Sequence, residues 1–340
     1  GGRVLNPSLR KYFSLAVMQT QIPTSNETFK PLKIIMKHSR ERHFLLTLLL
    51  FISSASLFGQ KFEPKKRLLD PDTTITSKIM GKDYQLYISF PKGYSTKDTT
   101  KYPVLFVLDG QGSFPVFKSV RESMDIDKEL DSLIIVGIGS GLDFVSWGIN
   151  RTYDYTPSLD TAFDRQYERD GAKQYNLDYN SIKGKIQSGG AEKYLQCMTT
   201  EIIPYIDTHY KTTTDRGITG FSFGGLFTAW CFLNTQGIFN KFGINSPSLW
   251  WNNNEVLAQA KSFFSKNKTW DIPSTKVFIS VGEKEEAKMV SGMEKFSKLL
   301  TAMKYKNVLV TTYQFPEGTH SSAVSPSLKR TISVLYGKKK

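Results

Sequence analysis

The tightest constraint on this 340-residue chain is the hexapeptide Gly220-Phe221-Ser222-Phe223-Gly224-Gly225. It follows the apolar run Gly217-Ile218-Thr219 and leads into Leu226-Phe227-Thr228-Ala229-Trp230-Cys231-Phe232-Leu233, whose length and apolar content suit a buried helix. The spacing therefore predicts strand, tight turn, helix. A serine at the apex of so sharp a turn needs flanking positions without side chains, a need met by Gly220 and Gly224. In that geometry the Ser222 hydroxyl stands above the carboxyl edge of a sheet, and the Phe223 N–H and the helix N-terminus aim at the same point, where an oxyanion would form. The alternative is a glycine-rich turn in which Ser222 only caps a helix. The rest of the chain has to discriminate.

Residues 74–80 and 82–90 are β-rich runs around Gly81 and suit an antiparallel hairpin. Residues 102–108 form a continuous apolar run ending at Asp109-Gly110-Gln111-Gly112, as expected of a parallel strand buried on both faces. Residues 133–138 read as a second such strand. Its exit, Gly137-Ile138-Gly139-Ser140-Gly141, lacks the G-x-G-x-x-G spacing of a dinucleotide loop and has no helical pattern behind it, so it is read as a loop. Residues 143–190 form a long polar and aromatic connection, the candidate pocket wall. Residues 191–209 have helical periodicity with a kink expected at Pro204. Strands are expected at 242–246, 276–281 and 308–315, and helices at 256–264, 289–303 and 327–336. This alternation implies an α/β fold, a mostly parallel central sheet covered by helices on both faces. With no repeat or flexible linker, residues 60–340 read as a single domain.

Ahead of that domain, Met36-Lys37-His38-Ser39-Arg40-Glu41-Arg42 forms a basic start, residues 44–52 an apolar stretch, and residues 53–59 a small-residue approach to Gln60. The pattern predicts a secretory signal peptide over 36–59, with residues 1–35 from an over-long gene reading. The apolar stretch is shorter than the roughly 20 residues a membrane span needs, so no stable membrane insertion is expected after cleavage. The expected location is periplasmic or secreted. The formal net charge is +14, yet eight of the Lys/Arg residues and only two of the Asp/Glu residues precede Gln60. Apart from the terminal Lys338-Lys339-Lys340, the remaining lysines are dispersed and form no aromatic-interleaved basic block, so nucleic acid is not an expected partner. Cys197 and Cys231, the only cysteines, cannot form a disulfide scaffold and read as buried free thiols.

A serine hydroxyl is a poor nucleophile at neutral pH and needs a base within hydrogen-bond reach, usually histidine. Of the four histidines, His38 and His43 lie in the signal peptide and His209 ends the helix before the elbow. His320 remains, just past the last strand in Glu317-Gly318-Thr319-His320-Ser321-Ser322. An orienting carboxylate should lie between serine and histidine in the chain, and Gly282-Glu283-Lys284-Glu285-Glu286 qualifies by position. Glu283, Glu285 and Glu286 compete there, and Glu285 is favoured because the first residue after the glycine is still turning away from the sheet edge. Oxyanion donors are expected from the Phe223 N–H and, after the 102–108 strand, from the Gln111 N–H. No metal site has the ligands it needs, and no cofactor is expected.

At these residues the chain resembles a known family. Tyr102-Pro103-Val104-Leu105 through Leu108-Asp109-Gly110, Gly189-Gly190-Ala191, Glu201 to Asp207, the elbow, Ser246-Pro247-Ser248-Leu249-Trp250-Trp251 and Gly318-Thr319-His320 are similar to the Putative esterase family of α/β-hydrolases. The Ser-Pro-Ser-Leu-Trp-Trp segment resembles its enterochelin (siderophore) esterase branch. The resemblance implies an α/β-hydrolase that cleaves carboxylic esters, with Ser222 as nucleophile, His320 as base, Glu285 at the acid position, and Trp250 and Trp251 beside the pocket. Arg151, the two tryptophans, Tyr153 and Tyr155 would suit a flat, partly anionic acyl group, with the guanidinium for charge and the rings for stacking. Each also has a packing role open to it, Arg151 by pairing with Asp154. The expected substrate is a siderophore or aromatic ester, the second choice an acyl-carbohydrate ester of feruloyl or acetyl-xylan type, and acyl transfer uses the same intermediate. A non-catalytic binding protein on this fold is the rival from another class. The expected partner is thus a small-molecule or glycan ester.

Overall fold

A computed structural model of the protein describes residues 69–141, 143–235 and 237–338, so the expected signal peptide at 36–59 and the segment before it lie outside the described residues. Strands β1 (Thr73–Ser77) and β2 (Lys82–Ser89) form the antiparallel hairpin anticipated around Gly81. The remaining strands are β3 (Tyr102–Leu108), β4 (Ile134–Gly139), β5 (Thr212–Phe221), β6 (Lys241–Asn245), β7 (Thr275–Gly282) and β8 (Val308–Phe315). They assemble one eight-stranded sheet in the order β1-β2-β4-β3-β5-β6-β7-β8. The β2/β4 contact is antiparallel, and every pairing from β4 through β8 is parallel. Strand β3 shows why its sequence does not alternate. Val104, Phe106 and Leu108 enter the core on one face of the sheet, and Leu105 and Val107 enter the core on the other. A strand covered on both sides has no solvent face to carry polar residues.

Helix α1 (Gly110–Ile126) follows β3 directly. The long polar and aromatic connection 143–190, in which no helix was anticipated, is mostly helical: α2 (Phe144–Tyr155), α3 (Thr161–Gln174) and the short α4 (Tyr179–Ile182). The local signals are caps. Asp143 accepts hydrogen bonds from the Val145 and Ser146 N–H groups, Ser146 Oγ accepts one from the Asp143 N–H, and Asp160 accepts from the Phe163 N–H. Hydrophobic periodicity missed α3 because the residues it buries are Asp164, Glu168 and Ala172. Asp164 Oδ2 accepts from Ser188, and the Glu168 carboxylate accepts from Arg165 and the Ile186 N–H, so this inward face is held by polar contacts rather than by apolar packing.

Next come α5 (Ala191–Cys197), a π turn (Met198–Ile202) and α6 (Ile203–His209). The bend expected at Pro204 is taken up by that π turn, where the Ile203 N–H donates to the Met198 carbonyl one residue farther back than in an α-helix. His209 ends α6, stacked on Tyr205, with Nδ1 2.8 Å from the Tyr205 carbonyl. Helices α7 (Phe223–Asn234), α8 (Trp251–Lys266), α9 (Ala287–Ala302) and α10 (Val324–Tyr336) complete the order. Phe114 and Phe117 of α1 with Leu328 and Ile332 of α10 cover one face of the sheet, whereas residues of α5 to α9 cover the other. Cys197 and Cys231 are free and buried, and burial pushes the Cys197 thiol up to about 12, away from thiolate chemistry. Among the described residues no helix is long and apolar enough to cross a membrane.

Candidate active site

Ser222 lies between β5 and α7 with φ 62° and ψ −116°, a backbone conformation that a residue with a side chain adopts only under strain. The turn is closed by its glycines, although not both of those expected. A Cβ on Gly220 would lie 2.4 Å from the Gly224 carbonyl carbon, and one on Gly225 would lie 2.4 Å from the Asn245 oxygen. At Gly224 it would meet nothing nearer than 3.5 Å, an ordinary contact. Gly220 and Gly225, rather than Gly224, are the positions where a side chain cannot fit, because α7 packs against the exit of β6. That exit also anchors the apex, where the Ser222 N–H donates to the Asn245 carbonyl at 3.1 Å and the Ser248 N–H to the Ser222 carbonyl at 3.2 Å.

Strands β7 and β8 bring the candidate base and acid together at the same carboxyl edge. The loops that follow them are laced by main-chain bonds, from the Glu283 N–H to the Phe315 carbonyl at 2.9 Å and from the Lys284 N–H to the Gly318 carbonyl at 2.8 Å. A Cβ on Gly282 would lie 2.3 Å from the Gly318 oxygen, so this approach requires glycine. Glu285 Oε2 consequently sits 2.6 Å from His320 Nδ1. Its Oε1 accepts from Ser246 Oγ at 2.6 Å and from the Gly282 N–H at 2.7 Å. Burial alone would raise the Glu285 pKa, but the hydrogen bonds from His320, Ser246 and Gly282 outweigh it and hold the carboxyl below its usual value. Glu283 and Glu286 are exposed, the first accepting from the Glu317 N–H and the second pairing with Lys288. Of the three competing glutamates, only Glu285 meets the histidine.

The His320 ring packs 4.9 Å from that of Phe221, next to the apex. Among the described residues, the hydrogen-bond partner of Ser222 Oγ is Ser248 Oγ at 3.4 Å, and His320 does not reach it. Ser246 and Ser248 are buried and were not singled out as site residues from the sequence. Their signal was position, since both lie at the exit of a strand beside the elbow. Ser246 has φ 39°, a left-handed turn at the β6 exit from which its side chain meets the β7 loop.

Phe223 and Gln111 are the first residue of α7 and the second of α1, and the amide N–H groups of a first helical turn have no partner inside the helix. Strands β3 and β5 are parallel neighbours, so the two helix N-termini open at the same sheet edge. Trp250 is half-buried, its Nε1 3.0 Å from Met289 Sδ and the Lys288 ammonium 4.3 Å from its ring centre. Trp251 has no exposed surface and packs edge-on against Phe163 at 4.8 Å and Phe223 at 5.4 Å. It is a core residue behind the wall that Trp250, Phe163 and Phe223 form. After it, Asn252, Asn253 and Asn254 make a left-handed turn tied to the α2–α3 loop through Asn252 Nδ2 and Ser158 Oγ at 2.7 Å.

Tyr155 is buried. Arg151 is also buried, and it does not pair with Asp154, whose carboxylate takes Lys82 at 2.7 Å and the Tyr84 hydroxyl at 3.0 Å. Its Nε and Nη2 each donate to Asp109 at 3.1 Å. Phe163 was missed because it belongs to a helix the sequence concealed.

Residues 77–324 match the model of the family described as "Putative esterase". Apo-salmochelin esterase of Escherichia coli O6:H1 is 24% identical over 314 residues, covering 86% of this chain and 91% of that protein. Siderophore enterobactin esterase of Emericella nidulans is 23% identical over 219 residues, covering 62% of this chain and 69% of that protein. Among solved structures, the BES protein from Bacillus cereus matches with a TM-score of 0.63 at 27% identity, covering 77% of this chain and 93% of its own.

Proposed function

This chain belongs to the Putative esterase family and is a carboxylic ester hydrolase of α/β-hydrolase fold, and from that premise we propose that it cleaves its substrate through an acyl-enzyme on Ser222. The observation that carries the reading is the 2.6 Å bond between His320 Nδ1 and the buried Glu285 carboxylate, set beside a strained serine turn. An ionised carboxylate can only accept, so Nδ1 carries the proton and Nε2 is left as the base. Ser222 Oγ leaves Ser248, gives its proton to Nε2 and attacks the ester carbonyl carbon. The Phe223 and Gln111 N–H groups receive the oxyanion, and His320 returns the proton to the departing alcohol. Water activated by the same histidine then frees the acid. Purified protein should hydrolyse p-nitrophenyl butyrate, and Ser222→Ala should lose this by at least about 10⁴-fold. Retention of activity in that variant would sink the mechanism.

The acyl group we propose is aromatic, as in a siderophore. In support stand the half-buried Trp250 with the neighbouring Phe163 and Phe223 rings, and a relative named for siderophore esterase activity. A panel of catecholate trilactones, feruloyl sugars, acetylated xylan and short aliphatic esters tests it. A preference for the aliphatic esters would remove the aromatic reading, and one for feruloyl sugars or acetylated xylan would move the substrate to carbohydrate. We also propose that the mature protein is exported and begins near Gln60, which N-terminal sequencing of secreted material would check.

A further inference from the structure

We propose that Arg151 is a positioning residue that fixes the two oxyanion donors relative to each other, and that it is not a cation for substrate. The inference rests on the reading of Phe223 and Gln111 as those donors. It starts from Asp109, which precedes Gly110-Gln111 and caps α1 with φ 51° and ψ 45°, a left-handed conformation that costs energy in any residue with a side chain. An aspartate at this position ordinarily turns its carboxylate onto the first helical N–H groups. Here it makes no such bond, and only its main-chain carbonyl accepts, from the Gly112 and Ser113 N–H groups. The carboxylate turns back instead to Arg151 Nε and Nη2 at 3.1 Å each and to Trp147 Nε1 at 2.7 Å, while the Asp109 N–H donates to the Tyr155 hydroxyl at 3.1 Å. Every polar group of Asp109 is therefore engaged in holding the turn whose φ and ψ aim the next N–H groups.

The same guanidinium reaches the other half of the site. Its carbon lies 5.3 Å from the centre of the Phe223 ring and 4.8 Å from that of Trp147. Asp109 Oδ2 is also within 3.5 Å of where a Cβ on Gly224 would be, so the first turn of α7 abuts the carboxylate. Arg151 thus touches the residue that sets the Gln111 N–H and the residue that supplies the Phe223 N–H. A two-point fork onto a carboxylate is directional, and a lysine ammonium cannot reproduce it. Arg151 is 7% exposed and its charge is matched by Asp109, so little surface or charge remains to recognise an anionic substrate.

Arg151→Met, Arg151→Lys and Asp109→Asn would be compared with wild type on a neutral ester, p-nitrophenyl butyrate, and an anionic one, mono-p-nitrophenyl succinate, with melting curves for each variant. Displacing one donor should lower kcat by about 10²-fold in Arg151→Met, with smaller losses in the other two. The factor should be the same for both esters, and KM should stay within about threefold, because positioning acts on the transition state rather than on ground-state binding. A rise in KM confined to the anionic ester would make Arg151 a substrate cation and overturn the proposal. So would a wild-type kcat in any folded Arg151 variant, or losses of kcat in all three that merely track the unfolded fraction. Arg151→Lys keeps most of the side-chain stem and the charge, so it decides the matter if Arg151→Met does not fold. Failure of the underlying reading would look different, as wild-type protein without esterase activity or Ser222→Ala with it.

Discussion

The candidate acid and the proposed nucleophile follow two strands of one sheet, yet they are held in opposite ways. Glu285 has no exposed side-chain surface and accepts hydrogen bonds of 2.6, 2.7 and 2.6 Å from Ser246, Gly282 and His320. Among the described residues, Ser222 Oγ has one hydrogen-bond partner, Ser248 Oγ, at 3.4 Å, near the limit of a hydrogen bond. A buried charge left short of donors is expensive, so the carboxylate has to be fully satisfied before substrate arrives. A neutral hydroxyl that, in the proposed mechanism, changes partner during the reaction gains nothing from being held tightly. Rigidity in this site is thus concentrated where the charge is.

Removing that charge should have the largest effect on the comparison. Glu285→Gln keeps the volume but presents an amide that cannot stabilise the imidazolium, and kcat should fall by about 10²- to 10⁴-fold. Glu283→Gln and Glu286→Gln, both exposed, should leave kcat within about twofold and stability within about 0.5 kcal/mol. Equal effects at all three positions, read by steady-state kinetics, would dissolve the distinction between a held acid and its solvated neighbours. Next in size is Ser246→Ala, which removes one of the two donors on Glu285 Oε1 and should lower kcat about tenfold and stability by about 1–3 kcal/mol. Denaturant unfolding together with kinetics would check both, and an unaltered kcat would mean that Gly282 alone suffices to hold the carboxylate.

The acid half should also show itself in stability against pH. The Glu285 pKa is lowered on folding, so its contribution is fully present above the unfolded carboxylate value near 4.5 and is lost as pH falls through the depressed folded value. The stability difference between wild type and Glu285→Gln, followed by urea unfolding, should therefore narrow as pH drops below that range. A difference that stays constant with pH would show that the carboxylate is not preferentially charged in the fold. The smallest effect belongs to the loose half. Ser248→Ala should change kcat/KM by no more than about threefold, since one long contact between neutral hydroxyls contributes little. A drop of tenfold or more would place Ser248 inside the machinery that activates the nucleophile and erase the contrast.

Reading the residues in order was enough for the strand-turn-helix at Ser222, for β3 and β8 to the residue, and for His320 as the candidate base. In each case the information is local, because a glycine-flanked serine, an unbroken apolar run or a histidine just past the last strand needs no distant partner to be recognised. The parallel sheet followed for the same reason, from strands and helices alternating along the chain. Helices α2 and α3 were less legible. Their caps were written in Asp143-x-x-Ser146 and Asp160, but α3 buries carboxylates, so its inward face does not look apolar until Ser188 and Arg165 are beside it.

Choices among equivalent neighbours needed the folded chain. Glu283, Glu285 and Glu286 are chemically alike, and what separates them is a bond from Ser246, 39 residues away, and the pairing of two loops that only adjacent parallel strands bring together. Arg151 had an aspartate three residues on and paired instead with Asp109, 42 residues back, because the exit of β3 turns that carboxylate toward α2 while Lys82 and Tyr84 occupy Asp154. Gly225 outranks Gly224 because the Asn245 carbonyl of the neighbouring strand lies against it. Backbone propensity and apolar patterning act over a few residues and are visible in the chain. Hydrogen-bond partners and close approaches are set by which strand ends meet in space, and that is decided only when the sheet closes.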